Sequence, residues 1–253
     1  MKKKFLFIFL IVLFSLAGFS PVEAKRTMNL AIGKGEAVVS SLEGPAEMLE
    51  DGEKTWKPLK IREALREGDE VRTGKGARME LLLPDKSQAR FAENSAFKVV
   101  RMQVEGQSQP RDVKIHLALG KAWSNVVRAV GSKGNFEISC DKAVAGVRGT
   151  IYRMDVEEDR SALVRVYDGI VHVTGGGKAM EKSMPVGPPT RVAGPKPIPG
   201  PHKVTMEEWT IIVKAMQQVR IGADGAAEKP RDFTMEEDRN EWVDWNRTKD
   251  EGK

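Results

Sequence analysis

The chain has 253 residues, with 41 lysines and arginines against 36 aspartates and glutamates, for a formal charge of +5. Residues 1–24 hold three lysines and one glutamate, so without them the balance falls to +3, too mild to mark a nucleic-acid surface or a polybasic membrane-binding face. One cysteine, Cys140, excludes an intramolecular disulfide framework, and no Cys/His spacing suited to a metal occurs.

Taken in chain order, the N-terminus reads as an export signal. Lys2, Lys3 and Lys4 precede a 15-residue apolar run from Phe5 to Phe19, followed by Ser20-Pro21-Val22-Glu23-Ala24, with small residues where a signal peptidase reads. The run is shorter than the roughly 20 residues of a spanning helix, and Pro21 breaks it before the site. No cysteine follows the cleavage point, so no lipid anchor is expected. The exported chain is expected to start at Lys25, to be periplasmic or secreted, and to keep no stable membrane anchor. Residues 25–32 form a short lead-in.

Residues 33–194 read as β structure. Between Ala64 and Val99 the turn pairs Gly68-Asp69 and Thr73-Gly74 precede an apolar strand from Met79 to Leu83 and a hairpin at Asp85-Lys86-Ser87. Lysine disfavours positive φ, so that hairpin is expected to use a longer loop led by Pro84 instead of a tight primed turn. Further on, Phe136, Ile138 and Cys140 alternate with Glu137, Ser139 and Asp141, which makes Cys140 a buried, inert thiol. Tyr152, Met154 and Val156 alternate with Arg153 and Asp155, and Asp168-Gly169 suits a type I′ hairpin between Leu163–Val166 and Ile170–Val173. Glu157, Glu158 and Asp159 read as a solvated turn.

Residues 195–204 form a Pro/Gly linker. For residues 205–222 the signals predict an amphipathic helix packed on the β domain: Thr205 as N-cap, Glu208 completing a capping box, Val204 and Trp209 as a staple, and a stripe of Trp209, Ile212, Val213, Met216 and Val219 or Gln217 before Gly222. Residues 223–253 read as a flexible or partly helical mixed-charge tail. Thr234-Met235-Glu236-Glu237 repeats the capping-box spacing, and Trp242 and Trp245 can share a helical face. Two readings of that tail stand level, a helix laid back on the domain and a docking surface for a partner.

No constellation for catalysis, cofactor or metal is found. His116, His172 and His202 are dispersed, and neither a nucleophile elbow, a P-loop nor a dinucleotide fingerprint occurs. Arg148, between Gly146 and Gly149, either presents a guanidinium to a carboxylate or phosphate or pairs with a nearby carboxylate at a backbone bend. The candidate partner-binding residues are therefore Trp242, Trp245 and Arg148, and Trp56 with Trp123 form a sugar platform if both are exposed. The fold class is all-β: two packed antiparallel sheets, or a short β-roll, of about a dozen short strands, with a C-terminal helix and tail.

The Gly146–Thr150 core GVRGT, in order with the turns of residues 64–99, Trp56, Leu117–Gly120 and Arg191–Gly194, resembles the FecR-type exported (periplasmic sensor) domain over about Gly33 to Gly194. The resemblance implies a sensor or recognition role outside the inner membrane. In the best-understood members a cytoplasmic anti-sigma segment and a transmembrane helix precede the domain, which receives a signal from an outer-membrane iron-siderophore receptor. Here three residues separate Met1 from the apolar run, so the anti-sigma activity is not carried over. The expectation is a non-catalytic recognition module, not an enzyme, that binds another envelope protein in signalling or envelope assembly. The alternative is a binder of cell-wall or extracellular polysaccharide.

Overall fold

The computed structural model describes residues 32, 33, 35–104, 111–128, 134–175 and 209–252. The export signal, the linker at 195–204 and the Thr205 capping box lie outside the described residues. Within them the chain forms seventeen strands and one helix, arranged as two packed sheets. The front sheet runs β4 (Ala64–Leu65), β1 (Ala37–Glu43), β6 (Arg78–Leu82), β7 (Gln88–Phe91), the second half of β9 (Arg111–Asn125), β12 (Ile151–Val156), β13 (Ala162–Asp168), β16 (Gln217–Ile221) and β17 (Arg231–Asp232). The back sheet runs β3 (Lys57–Pro58), β2 (Ala46–Leu49), β5 (Glu70–Thr73), β8 (Ala96–Val104), the first half of β9, β10 (Asn135–Ser139), β11 (Ala143–Val147), β14 (Ile170–Gly175) and β15 (Trp209–Lys214). Every pairing is antiparallel except β9 with β10.

The alternation seen in the sequence sets the core. Phe136, Ile138 and Cys140 from the back sheet meet Tyr152, Met154, Val156 and Val164 from the front, all buried. Cys140 is a free thiol at 1% exposure, and burial raises its pKa, as expected of an inert side chain.

Asp168-Gly169 does not close a hairpin, contrary to the sequence expectation. β13 pairs with β12 and β16 in the front sheet, whereas β14 pairs with β11 and β15 in the back sheet. The positive φ of Gly169 (87°) instead bends one long strand over a corner, and β9 turns the same kind of corner at Gly120 (φ 95°). A side chain at Gly169 would meet the Gly149 carbonyl and Thr150 Oγ1 at 2.9 Å. The molecule is thus a roll in which 143–156, 162–175 and 209–221 lie side by side, each crossing between the sheets.

Three loops share one design. In 83–87, 157–161 and 222–226 the first amide donates to the last carbonyl, and an aspartate at the third position accepts from the last amide (Asp85, Asp159 and Asp224, at 2.8 to 3.0 Å). The fourth position is left-handed in each: Lys86 (φ 68°), Arg160 (φ 66°) and Gly225 (φ 82°). Pro84 does lead a loop longer than two residues, but Lys86 takes the positive φ it was expected to avoid. The Asp85 carboxylate, which also accepts from Ser87 Oγ at 2.9 Å and pairs with buried Arg111, holds the turn against that strain.

The predicted helix over 205–222 is corrected: residues 209–214 and 217–221 are β15 and β16. Trp209, Ile211 and Val213 alternate with Thr210, Ile212 and Lys214, so the apolar set satisfies both periods. The β-branched run Thr210–Val213 and the open flanks of β14 and β13 decide for strand. Trp209 still packs on the core, over Gly175 directly opposite.

Gly169→Ala should lower unfolding free energy by about 2 kcal/mol in urea denaturation, from left-handed strain and the close carbonyl contact. An unchanged midpoint would contradict the corner geometry.

Candidate functional site

Outside the core, the solvent-side face of the front sheet carries a row of polar and aromatic side chains in direct cross-strand register. Glu80 faces Arg90, Arg90 faces Trp123, Trp123 faces Arg153, Arg153 faces Arg165, and Arg165 faces Gln218. Alternation alone places these positions away from the core and reads them as wet. They are not: Arg90 is 0% exposed and Arg153 is 4% exposed. Two arginines opposite each other on neighbouring strands repel unless an anion lies between them.

The C-terminal segment supplies the anions. Thr234 and Glu237 do form a reciprocal capping box, Thr234 N–H to Glu237 Oε2 at 2.9 Å and Glu237 N–H to Thr234 Oγ1 at 3.2 Å. It closes a turn, not a helix, and that turn delivers Asp238. One Asp238 oxygen takes Arg153 at 2.9 Å and also Arg165, while the other accepts from the Tyr167 hydroxyl. The helix α1 (Glu241–Glu251) starts after Asn240, whose side chain accepts from the Val243 amide at 3.1 Å. Its buried face carries Trp242, Val243 and Asn246, and Asp250 one turn further closes the row. Asp250 accepts from Arg90 at 2.7 Å, Trp123 Nε1 at 3.0 Å and Asn125 Nδ2 at 2.9 Å. Glu80, which binds Arg90 at 2.6 Å, receives Ser40 Oγ at 2.7 Å from the register shift in β1.

Apolar contacts reinforce the docking. Trp123, Ala92, Trp242 and Val243 form a second buried cluster, with Ile151, Tyr167, Met235 and Trp245 packed at its edge. Trp123 stacks on Tyr167 at 4.3 Å, and Phe233 meets Tyr167 edge-on at 5.7 Å.

Burial and charge set the proton affinities along the row. Burial acts to raise Glu80, but hydrogen bonds from Arg90 and Ser40 hold its carboxyl below the ordinary range. Burial wins at Asp155, whose pKa is raised although Arg153 Nε lies 3.1 Å away without hydrogen-bond alignment. Burial pushes the Tyr167 hydroxyl up, with Asp238 adding to the shift.

The sequence-based candidates separate. Trp242 and Trp245 come together as a stacked pair at 5.4 Å, with Trp242 at 7% exposure and Trp245 half-buried between Arg78 and Lys249. The tail is laid back on the domain, and Trp242 has almost no surface left for a partner. Arg148 lies elsewhere, exposed beside β11, and makes no ion pair with another described residue. Trp56, half-buried under Arg72, and buried Trp123 do not form a sugar platform. His116 lies on the outer side of β9 with its ring partly covered: Ser139 and Asp141 flank it, at 3.3 and 3.4 Å, and burial lowers its pKa. The arginine row escaped sequence reasoning, because nothing local tells a covered polar face from a wet one.

Residues 69–172 match the family model described as FecR protein. The family resemblance is therefore shown over that stretch, while the remainder of 33–194 lies outside the match. Glu80, Arg90, Trp123, Arg153 and Arg165 lie within the matched stretch, and Asp238 and Asp250, the counter-ions of its arginines, do not. No curated protein matches the chain. Two crystal structures from Parabacteroides distasonis ATCC 8503, of a protein provisionally assigned as an anti-sigma factor, are similar at 15% identity with a TM-score of 0.42. Each alignment covers 64% of this chain and 59% of that one. Among the described residues, no group of three or more His, Cys, Asp or Glu side chains is placed to hold a metal.

Asp238→Ala should cost about 3 kcal/mol, since it leaves two guanidiniums and a phenol without their acceptor, whereas Asp232→Ala at the exposed edge should cost under about 0.5 kcal/mol. Equal costs, read by denaturant titration, would contradict the arginine row as a covered site. Because Glu80 has its pKa lowered on folding, its stabilisation is present above the ordinary glutamate value of 4.5 and is lost as pH falls through the folded value. Glu80→Gln should therefore flatten the acid limb of stability against pH, and an unaltered limb would contradict the assignment.

Proposed function

We propose that the chain is an exported, non-catalytic FecR-domain module that recognises another protein of the cell envelope, in signalling or envelope assembly. The observation that carries this reading is the fate of the charged groups on the FecR-type segment. The arginines and carboxylates of the front face bind one another in a closed network. Acid/base work needs a group with a free face toward a substrate, and this network spends its groups on the fold. A recognition role needs only a rigid scaffold with exposed faces, which the roll provides.

The family match over residues 69–172 supports the same class of role. The basic n-region, apolar run and Val22-x-Ala24 site support export. Among the described residues no helix is long and apolar enough to cross a membrane. The buried Trp123 removes the feature that favoured polysaccharide.

The test is affinity capture from detergent-solubilised envelope with residues 25–253 as bait, combined with N-terminal sequencing of the chain recovered from cells. The expected result is a protein retained at stoichiometric yield and an N-terminus at Lys25. Retention of glycan alone, or an intact Met1 in the envelope fraction, would overturn the reading.

A further inference from the structure

The GVRGT motif divides into an inward and an outward half. Val147 is buried in the core, and Gly149 holds positive φ (65°), where a side chain would strike Arg128 at 2.7 Å. Thr150 is buried and donates to the Ile170 carbonyl at 3.1 Å. These three residues are explained by the roll. Gly146 and Arg148 are not. Gly146 needs no positive φ, and the nearest described atoms to a side chain there would be 3.9 Å away, ordinary contact, so among the described residues neither conformation nor crowding calls for glycine.

Both unexplained residues point to the outer face of the back sheet. There Lys114, Glu137, Gly146, His172 and Ile212 stand in cross-strand register, with Gly146 a gap in the middle of the row. Glu137 is neutralised by Lys114 at 3.3 Å and takes the Asn135 amide. A cavity of 710 Å³ opens over the gap, lined by Asn135, Gly146, Arg148, Ile170 and His172 among others. Beside it lie two of the most exposed large apolar side chains among the described residues, Ile170 at 48% and Ile212 at 51%.

We infer that this trough is the docking site for an extended, carboxylate-bearing segment of the partner protein, an inference that rests on the protein-recognition reading above. A strand glycine with no internal duty lets another backbone approach closely. One guanidinium that pairs with no carboxylate among the described residues matches a single negative charge and offers a bidentate fork, and the His172 ring adds a hydrogen-bonding group beside it. Ile170 and Ile212 favour aliphatic neighbours of the acidic residue over a bare anion or a sugar ring. An aspartate or glutamate of the partner seats on Arg148, and its main chain lies across Gly146.

Two measurements on residues 25–253 test this. The first titrates the ¹⁵N-labelled protein with a capped pentapeptide of valine and threonine around a central aspartate, its asparagine counterpart, and inorganic phosphate. The aspartate peptide should shift the amides of Gly146, Arg148, Ile170, His172 and Ile212, and Arg148→Gln should weaken it about tenfold. Gly146→Val should abolish the shifts without lowering Tm, because no described residue crowds the space it fills. No response to the aspartate peptide, equal binding of the asparagine peptide, or equal binding of phosphate overturns the inference. The second repeats the envelope capture with the Gly146→Val, Arg148→Gln double variant. Loss of the captured protein supports the site. Undiminished capture overturns the site while leaving the module reading intact, and absence of any captured protein with the parent chain defeats the module reading itself.

Discussion

A buried guanidinium must meet a carboxylate, and Arg90, Arg153 and Arg165 on one sheet face impose that demand on the whole molecule. Truncating one partner of such a pair costs about 3 to 5 kcal/mol, a large part of the stability of a domain this size. Asp238 and Asp250 meet the demand, and each does so several times over, Asp238 for two arginines and a phenol, Asp250 for an arginine, an indole and an amide. The C-terminal segment is therefore part of the domain's construction. The family match ends at residue 172, yet the buried arginines within it find their carboxylates Asp238 and Asp250 beyond it.

This constraint explains features that look unrelated. The turn at 235–238 exists to present Asp238, the Asn240 cap fixes where α1 begins, and the 242, 246, 250 spacing keeps one helical face on the sheet. The register shift in β1 brings Ser40 to Glu80, which in turn orients Arg90. The two faces of the roll consequently differ. Its front face is sealed by charge pairing and two tryptophans, whereas the back face around Gly146 is left uncovered among the described residues.

Much of the fold was legible in the sequence because burial enforces strict alternation: Phe136, Ile138 and Cys140, then Tyr152, Met154 and Val156, could only face one core. Turn chemistry was legible as turns but not as connectivity. Asp168-Gly169 asks for positive φ, and a hairpin and a corner between sheets both supply it. Residues 209–221 misled because Trp209, Val213 and Met216 fit a helical stripe while Trp209, Ile211 and Val213 fit a strand, and only the partners β13 and β14 break the tie. The arginine row was illegible for a different reason. Its register links six strands distant in sequence, and a polar outward position gives no sign of what covers it.

Native-state hydrogen exchange on α1 tests the central claim most directly. If Asp238 and Asp250 bind the segment into the domain, the amides of Asn246 and Asp250 should exchange only through global unfolding, with the same free energy and denaturant dependence as Val164 in the core. Exchange of α1 through a local opening of small free energy, while Val164 stays protected, would show that the arginine row stands without its carboxylates and would contradict the account.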